Sequence, residues 1–141
     1  MMSMDISKIR SAKDSMDKIE ELKENVRVAL SPVLTDTALI SKVYGLYKEY
    51  VANRGEELDV VHRKRFLFIA VYLFCPSVLI GGKMSMGLRA ILCNVMRINS
   101  ASTISNEVVS LLFLYGCYQD FREGVNDAFA YIASEMGLKD F

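Results

Sequence analysis

The spacing of apolar residues predicts helices along almost the whole chain. In residues 5–30, apolar side chains recur at steps of three and four between charged residues, which is typical of an amphipathic helix with a narrow seam. The seam consists of Ile6, Ile9, Ala12, Met16, Ile19, Leu22 or Lys23, Val26 and Leu30. Pro32 ends the helix because it disfavours helix at Ser31 and supplies no amide. We expect residues 1–31 to pair with a second copy of the chain or to close over the core.

Residues 32–141 are predicted to form one helical domain. Periodicity and cap residues predict helices at about residues 36–53, 58–74, 86–98 and 121–136, and another that begins near Ser102 or Ser105 and ends near residue 118. A turn at residues 99–101 joins two of these helices, so residues 86–118 have the layout of a helix-turn-helix. The stretch EVVSLLFLYGCY is so apolar that we expect it to be buried on nearly all sides. The predicted fold is all-α, a compact bundle of five or six helices.

Composition supports a globular helical protein. The chain has 141 residues, of which 52% are hydrophobic and 24% are charged, and it contains only two prolines and eight glycines. So few turn-forming residues leave little room for an all-β fold or for long linkers.

The net charge is zero, but the charges are unevenly distributed. Residues 60–106 contain six Lys or Arg and no Asp or Glu, whereas the segments on both sides have a net negative charge. The six cations are Arg63, Lys64, Arg65, Lys83, Arg89 and Arg97. They either form one basic surface for phosphates or lie scattered on helix surfaces, paired with acids from the flanking segments.

The segment FLFIAVYLFCPSVLI follows the basic residues but is too short to cross a bilayer, and Pro76 interrupts it. We expect no membrane partner. Cys75, Cys93 and Cys117 lie in apolar runs without metal-ligand spacing, which indicates reduced thiols and a cytoplasmic location.

No catalytic, metal or cofactor site is predicted. PSVLIGGKMSMG superficially matches a phosphate-binding loop, but Ser77 stands where glycine is required and Met84 where a hydroxyl is required. The one histidine, His62, adjoins the cations and is interpreted as a surface or phosphate-facing residue rather than a general base.

The residues after the predicted turn are short and polar, as in a recognition helix that enters the major groove by its amino end. Thr103, Ser105 and Asn106 are predicted to contact bases or nearby phosphates, and Ser102 to cap the helix and contact DNA. A buried helix with a polar cap would have the same local sequence.

HRKRFLFIAVYLF and INSASTISNEVV together resemble the DNA-binding domain of the bacterial replication initiator DnaA and helix-turn-helix folds of the Trp-repressor type. Ala70, Tyr72 and Leu73 fit the Ala-x-Tyr-Leu run of that domain, with Arg63 and Arg65 ahead of it, whereas its Gly-Arg-Asp-His-Thr signature is absent. The resemblance implies a small DNA-binding regulator or accessory factor, as in phages or mobile elements. We expect a non-catalytic binder of double-stranded DNA that forms a homodimer through its N-terminal helix. The alternative is a helical assembly or adaptor protein that binds other proteins.

Overall fold

A computed structural model describes residues 2–138, and this part of the chain is helical without strands, with 77% of the residues in helices. The α-helices are α1 (Ile6–Ala29), α2 (Ile40–Asn53), α3 (Val60–Phe74), α4 (Met86–Met96), α5 (Ala101–Val108), α6 (Leu111–Cys117) and α7 (Gln119–Met136). Two short 3₁₀ helices, Thr37–Leu39 and Pro76–Ile80, precede α2 and follow α3. The all-α prediction is confirmed. The chain divides into two units, one ending at Ser31 and one beginning at Pro32, and the six helices from α2 to α7 form the second.

The first unit is the single helix α1. The Asp5 carboxylate accepts a hydrogen bond from the Ser7 amide at 3.2 Å and caps its amino end. No residue of α1 is buried. Its surface carries three ion pairs, in each of which the two partners lie one helical turn apart: Lys13–Asp17, Glu20–Lys23 and Glu24–Arg27.

The second unit is built around α3. The Asp59 carboxylate caps its start by accepting from the His62 amide at 2.9 Å, and Pro76 follows its end. All residues from Phe66 to Val71 are buried, and so are Leu73 and Phe74. Because apolar side chains occupy every face, α3 needs neighbours all round. It packs against α2, α5, α6, α7 and the second 3₁₀ helix.

The helices around α3 are amphipathic. In α2 the buried residues Ile40, Val43, Tyr47 and Val51 follow one another at steps of three or four. The same spacing gives the inner faces of α4 and α7, which consist of Leu88, Leu92, Met96, Phe121, Val125, Ala128 and Ile132. Each of these helices thus turns one stripe inward and leaves its polar face exposed.

A polar network joins α2 to the start of α3. Tyr47 Oη lies 2.8 Å from His62 Nδ1, and His62 Nε2 lies 2.7 Å from a carboxylate oxygen of Glu56. A carboxylate can only accept, so Nε2 donates to Glu56, and in the tautomer that carries its proton on Nε2 the Nδ1 atom accepts from the Tyr47 hydroxyl. Burial raises the pKa of the Tyr47 phenol, which keeps it protonated as the donor. The expectation of a surface or phosphate-facing His62 was wrong, because its side chain is enclosed and both ring nitrogens are engaged.

The long fifth helix of the sequence prediction is two helices. α5 ends at Val108, the Ser110 hydroxyl donates to the Glu107 carbonyl at 3.2 Å, and α6 begins at Leu111. The expected burial on nearly all sides was also wrong. Val109, between the two helices, is 82% exposed, and Phe113 is 62% exposed because α6 buries only Leu111 completely.

None of the helices between residues 2 and 138 combines the length and the apolar content that a bilayer span requires.

We predict that Tyr47→Phe lowers the free energy of unfolding by about 1–3 kcal/mol, because His62 Nδ1 keeps its buried position and loses its donor. Urea denaturation followed by circular dichroism measures the change. Tyr118→Phe removes a hydroxyl from an exposed residue and is the matched control, expected to lie within about 0.5 kcal/mol of the wild type. Equal stability of Tyr47→Phe and the wild type would show that the hydrogen bond does not support the fold.

Stability is also expected to fall in acid. Hydrogen bonds from Arg54 and then His62 lower the pKa of Glu56, and the His62 amide lowers the pKa of Asp59. A carboxyl group whose pKa is lower in the folded than in the unfolded chain stabilises the fold above its unfolded pKa of about 4, and this contribution disappears as pH falls through the folded value. Urea midpoints are compared at about pH 6 and about pH 3, on either side of that unfolded pKa. The difference between the two midpoints should be smaller in Glu56→Gln than in the wild type or in Glu57→Gln. An undiminished difference in Glu56→Gln would contradict the assignment.

Candidate nucleic-acid interface

α4 and α5 are joined by the four residues 97–100. The Ser85 hydroxyl caps α4 by accepting from the Leu88 amide at 3.2 Å. At the other end Arg97 adopts a left-handed conformation with φ of 56°, and the Ile98 amide donates to the Cys93 carbonyl at 2.9 Å. This arrangement closes the carboxyl end of α4 and starts the chain toward α5.

The amino end of α5 differs from the sequence prediction. Ser100 is the N-cap residue and makes no side-chain cap hydrogen bond, since its hydroxyl lies 2.6 Å from that of Ser102. Ser102 and Ser105 are inside the helix, and the Ser105 hydroxyl donates to the Ala101 carbonyl at 3.3 Å. The assignment of Ser102 or Ser105 as the cap was therefore wrong: the helix begins one residue before the first of them.

The α5 side chains that were predicted to contact DNA lie outside its buried face. Ile104 and Val108 are buried and attach α5 to the core. Ser102 and Asn106 are exposed, whereas Thr103 and Ser105 are half-buried. The helix therefore presents short hydroxyl and amide groups to solvent.

Two of the cations meet α5 in one cleft. Lys83, Arg89 and Ser105 line a cleft of about 430 Å³, together with Val78, Gly82, Met84, Met86 and Val108. Lys83 is exposed, and Arg89 is half-buried with its Nε atom enclosed and without a hydrogen-bond partner in the described part of the chain. Arg97 is exposed at the end of α4. Lys83 precedes α4 and Arg89 lies within it, and both line this cleft with α5. We name this cleft the α4–α5 cleft.

Arg63 is engaged inside the chain. Its Nε lies 2.9 Å and 3.2 Å from the two carboxylate oxygens of Glu107 in α5, and its Nη2 also contacts Glu107. The Glu107 side chain is only 11% exposed. This is the pairing with a flanking acid that the sequence left open as the alternative. The pair fastens the start of α3 to the carboxyl end of α5.

Arg65 and Lys64 lie away from the α4–α5 cleft. Arg65 Nη2 approaches the Asp120 carbonyl at 3.4 Å, and its guanidinium lies so close to Gly124 that a β-carbon there would be 2.6 Å from Cζ. Arg65 also lines a polar cleft of about 300 Å³ with the carboxylates of Glu56, Asp120, Glu123 and Asp127. Lys64 borders a shallow groove with Val61, Leu114 and Tyr118.

One feature was missed from the sequence, the acidic cleft beside Arg65, for which the signal was the spacing of Asp120, Glu123 and Asp127 on one face of a helix. A second feature is an exposed apolar surface of Val109, Leu112, Phe113 and Tyr118, which we call the α6 surface. This segment was expected to be buried, and its exposure fits the alternative in which it meets a protein partner.

Comparisons with protein-family models, curated proteins and solved structures find no match to this chain. Within residues 2–138 no cluster of three or more His, Cys, Asp or Glu side chains has a geometry that could hold a metal ion.

We predict that Glu107→Gln lowers the free energy of unfolding by about 1–3 kcal/mol, because it leaves the half-buried Arg63 guanidinium without its counter-charge. Urea denaturation measures the change. Glu123→Gln alters an exposed carboxylate that accepts from Gln119, and it should shift stability by no more than about 0.5 kcal/mol. If both variants were equally stable, the Arg63–Glu107 pair would not hold α5 in place.

Proposed function

We propose that the protein binds double-stranded DNA without catalysis, through the amino end of α5 and the cations beside it. The observation that carries this proposal is the α4–α5 cleft, in which Lys83 and Arg89 share one surface with Ser105 of α5. A recognition helix needs polar groups for the bases and nearby positive charge for the phosphates, and in the cleft two cations lie beside one polar side chain of α5, Ser105.

The connection between α4 and α5 supports the proposal. A turn of three or four residues between two helices is typical of helix-turn-helix units, and residues 97–100 are of this length. Because the exposed Arg97 stands in this turn, a positive charge lies where such units approach the DNA backbone. The absence of Asp and Glu from residues 60–106 means that no acid of this segment opposes it.

Each group has a proposed role. Asn106 is suited to a bidentate pair with adenine, and Thr103 and Ser105 to bases or phosphates. Ser102, Lys83, Arg89 and Arg97 contact the backbone and set the register of the protein on DNA. Arg63 and Arg65 are left out of the interface because both guanidinium groups are engaged within the chain, and Lys64 because it lies in another groove.

We propose further that the protein is a DNA-binding regulator or accessory factor that acts in the cytoplasm. In this proposal α1 joins two copies. Two copies then present two α5 helices to paired half-sites.

We predict that the purified chain binds random duplex DNA with an affinity that falls steeply as salt is raised, because bound cations release counterions from the phosphates. Fluorescence anisotropy across a salt series measures the slope of log K against log salt. Lys83→Gln and Arg97→Gly should each reduce this slope by about 0.9, one phosphate contact apiece. Glycine is chosen at 97 because it adopts the left-handed conformation readily, which separates loss of charge from loss of fold.

The control is Lys42→Gln, which removes an exposed charge from α2 and should leave the slope unchanged. Thr103→Ala and Asn106→Ala should alter sequence preference in a selection from a random library, whereas the Lys83 variant should weaken all sequences alike. Absence of binding at low salt, or equal slopes for Lys42→Gln and Lys83→Gln, would contradict the proposal.

A second candidate is binding to another protein, and the α6 surface favours it. Val109, Phe113 and Tyr118 are more than half exposed, and the Phe113 and Tyr118 rings lie against each other at 6.3 Å between centroids. Clustered exposed aromatic residues are enriched at protein interfaces. DNA binding by the wild type distinguishes the two functions, and Phe113→Ser should leave that DNA affinity unchanged if α5 forms the interface.

A further inference from the structure

α1 presents an apolar stripe that nothing within its own unit covers. Of its apolar side chains, Ile9 and Met16 are about two-thirds exposed, and Ile6, Ile19, Leu22 and Val26 are half exposed. A lone helix gains little stability from its backbone hydrogen bonds, so a helix of this kind is normally stabilised by packing its stripe against another surface. The positions of the charges beside the stripe indicate what that surface is.

The stripe has the spacing of a coiled-coil seam. Ile9, Met16, Lys23 and Leu30 follow one another at intervals of seven, and Ala12, Ile19 and Val26 stand three residues after the first three. These are the a and d positions of successive heptads. One seam position is charged, and Lys23 therefore restricts how two such helices can pair.

We propose that α1 pairs with α1 of a second copy in antiparallel orientation. In a parallel pair in register, Lys23 would meet Lys23 inside the seam, and two ammonium groups would repel each other. In the antiparallel pair that places Met16 opposite Ile19, Lys23 lies opposite the small Ala12 of the second copy. Its aliphatic stem then covers apolar surface while its ammonium group reaches water.

The flanking charges favour the same orientation. In the antiparallel register, Lys13 of each copy lies beside Glu20 of the other, which gives two attractive pairs. In the parallel pair, Lys8 of one copy would lie beside Lys13 of the other. Lys13 and Glu20 now pair with Asp17 and Lys23 of their own helix at 3.5 and 3.6 Å, but all four side chains are more than two-thirds exposed, so these weak pairs can exchange or be shared.

Antiparallel pairing separates the carboxyl ends of the two helices. With a rise of 1.5 Å per residue, the two Ala29 residues lie about 35 Å apart. This inference gives an orientation to the α1 pairing of the proposed function, and the pairing itself does not require DNA.

The experiment measures the mass of the full chain by sedimentation equilibrium without DNA. The wild type should associate to twice the chain mass of 15.9 kDa. Lys13→Glu and Glu20→Lys should each weaken the dimer by about tenfold, because each turns two attractions into two repulsions. An equimolar mixture of these two variants should regain the wild-type affinity, since every Lys–Glu pair is then restored between different chains. Lys18→Glu makes the same charge change on the outer face of α1 and should leave the affinity unchanged.

Cysteine cross-linking distinguishes the orientations. In a Cys117→Ser background, which removes the one exposed native thiol, a mixture of Ala12→Cys and Lys23→Cys chains should cross-link between the two variants. Cross-linking of Ala12→Cys chains to each other would indicate a parallel pair and overturn the proposal. A monomeric wild type at its highest soluble concentration would also overturn it, and so would equal effects of Lys13→Glu and Lys18→Glu. DNA binding by a monomeric wild type would overturn the pairing through α1 while leaving the proposed DNA binding through α5 standing.

Discussion

α3 has apolar side chains around its whole circumference, so each of its faces has to be covered by another helix. α2 and α7 supply amphipathic faces of regular spacing, and the short α5 and α6 cover what remains. Eight of the 24 buried apolar residues of the described chain lie on α3, and burial of apolar surface is the dominant favourable contribution to folding. α2, α5, α6 and α7 pack on α3, whereas α4 packs on α2 and α5.

The polar residues in the first turns of α3 are held by contacts with the surrounding elements. His62, Arg63 and Arg65 lie where the surrounding helices converge on the first turns of α3, and each finds a partner on a neighbouring element. Glu56 comes from the loop before α3, Glu107 from α5, and the Asp120 carbonyl from α7. These contacts orient the outer helices around α3. Of the six cations in residues 60–106, Lys83 and Arg97 are exposed, and they lie before and after α4.

Much of this fold could be predicted from the sequence, because a step of three or four apolar residues reports directly which face of a helix is buried. That is why α2, α3 and α7 were predicted nearly as they stand. The break between α5 and α6 was missed because Val109 and Ser110 continue the apolar and helical pattern. The role of His62 was missed for a different reason: its partner Tyr47 is distant in sequence. Likewise, a charge count shows that cations are segregated but not that Arg63 reaches Glu107, 44 residues later.

Arg97 is the one non-glycine residue between residues 2 and 138 with a positive φ angle. A side chain in this left-handed conformation costs about 1–2 kcal/mol compared with the ordinary helical region, and glycine largely escapes that cost. The turn is therefore held at the expense of folding stability by a residue whose long charged side chain points away from the core. Helices commonly end on a residue in this conformation, and that residue is usually glycine. At this one position, the conformation of Arg97 lowers folding stability while its side chain places a positive charge in the turn. A chain optimised for stability alone would have a different residue there.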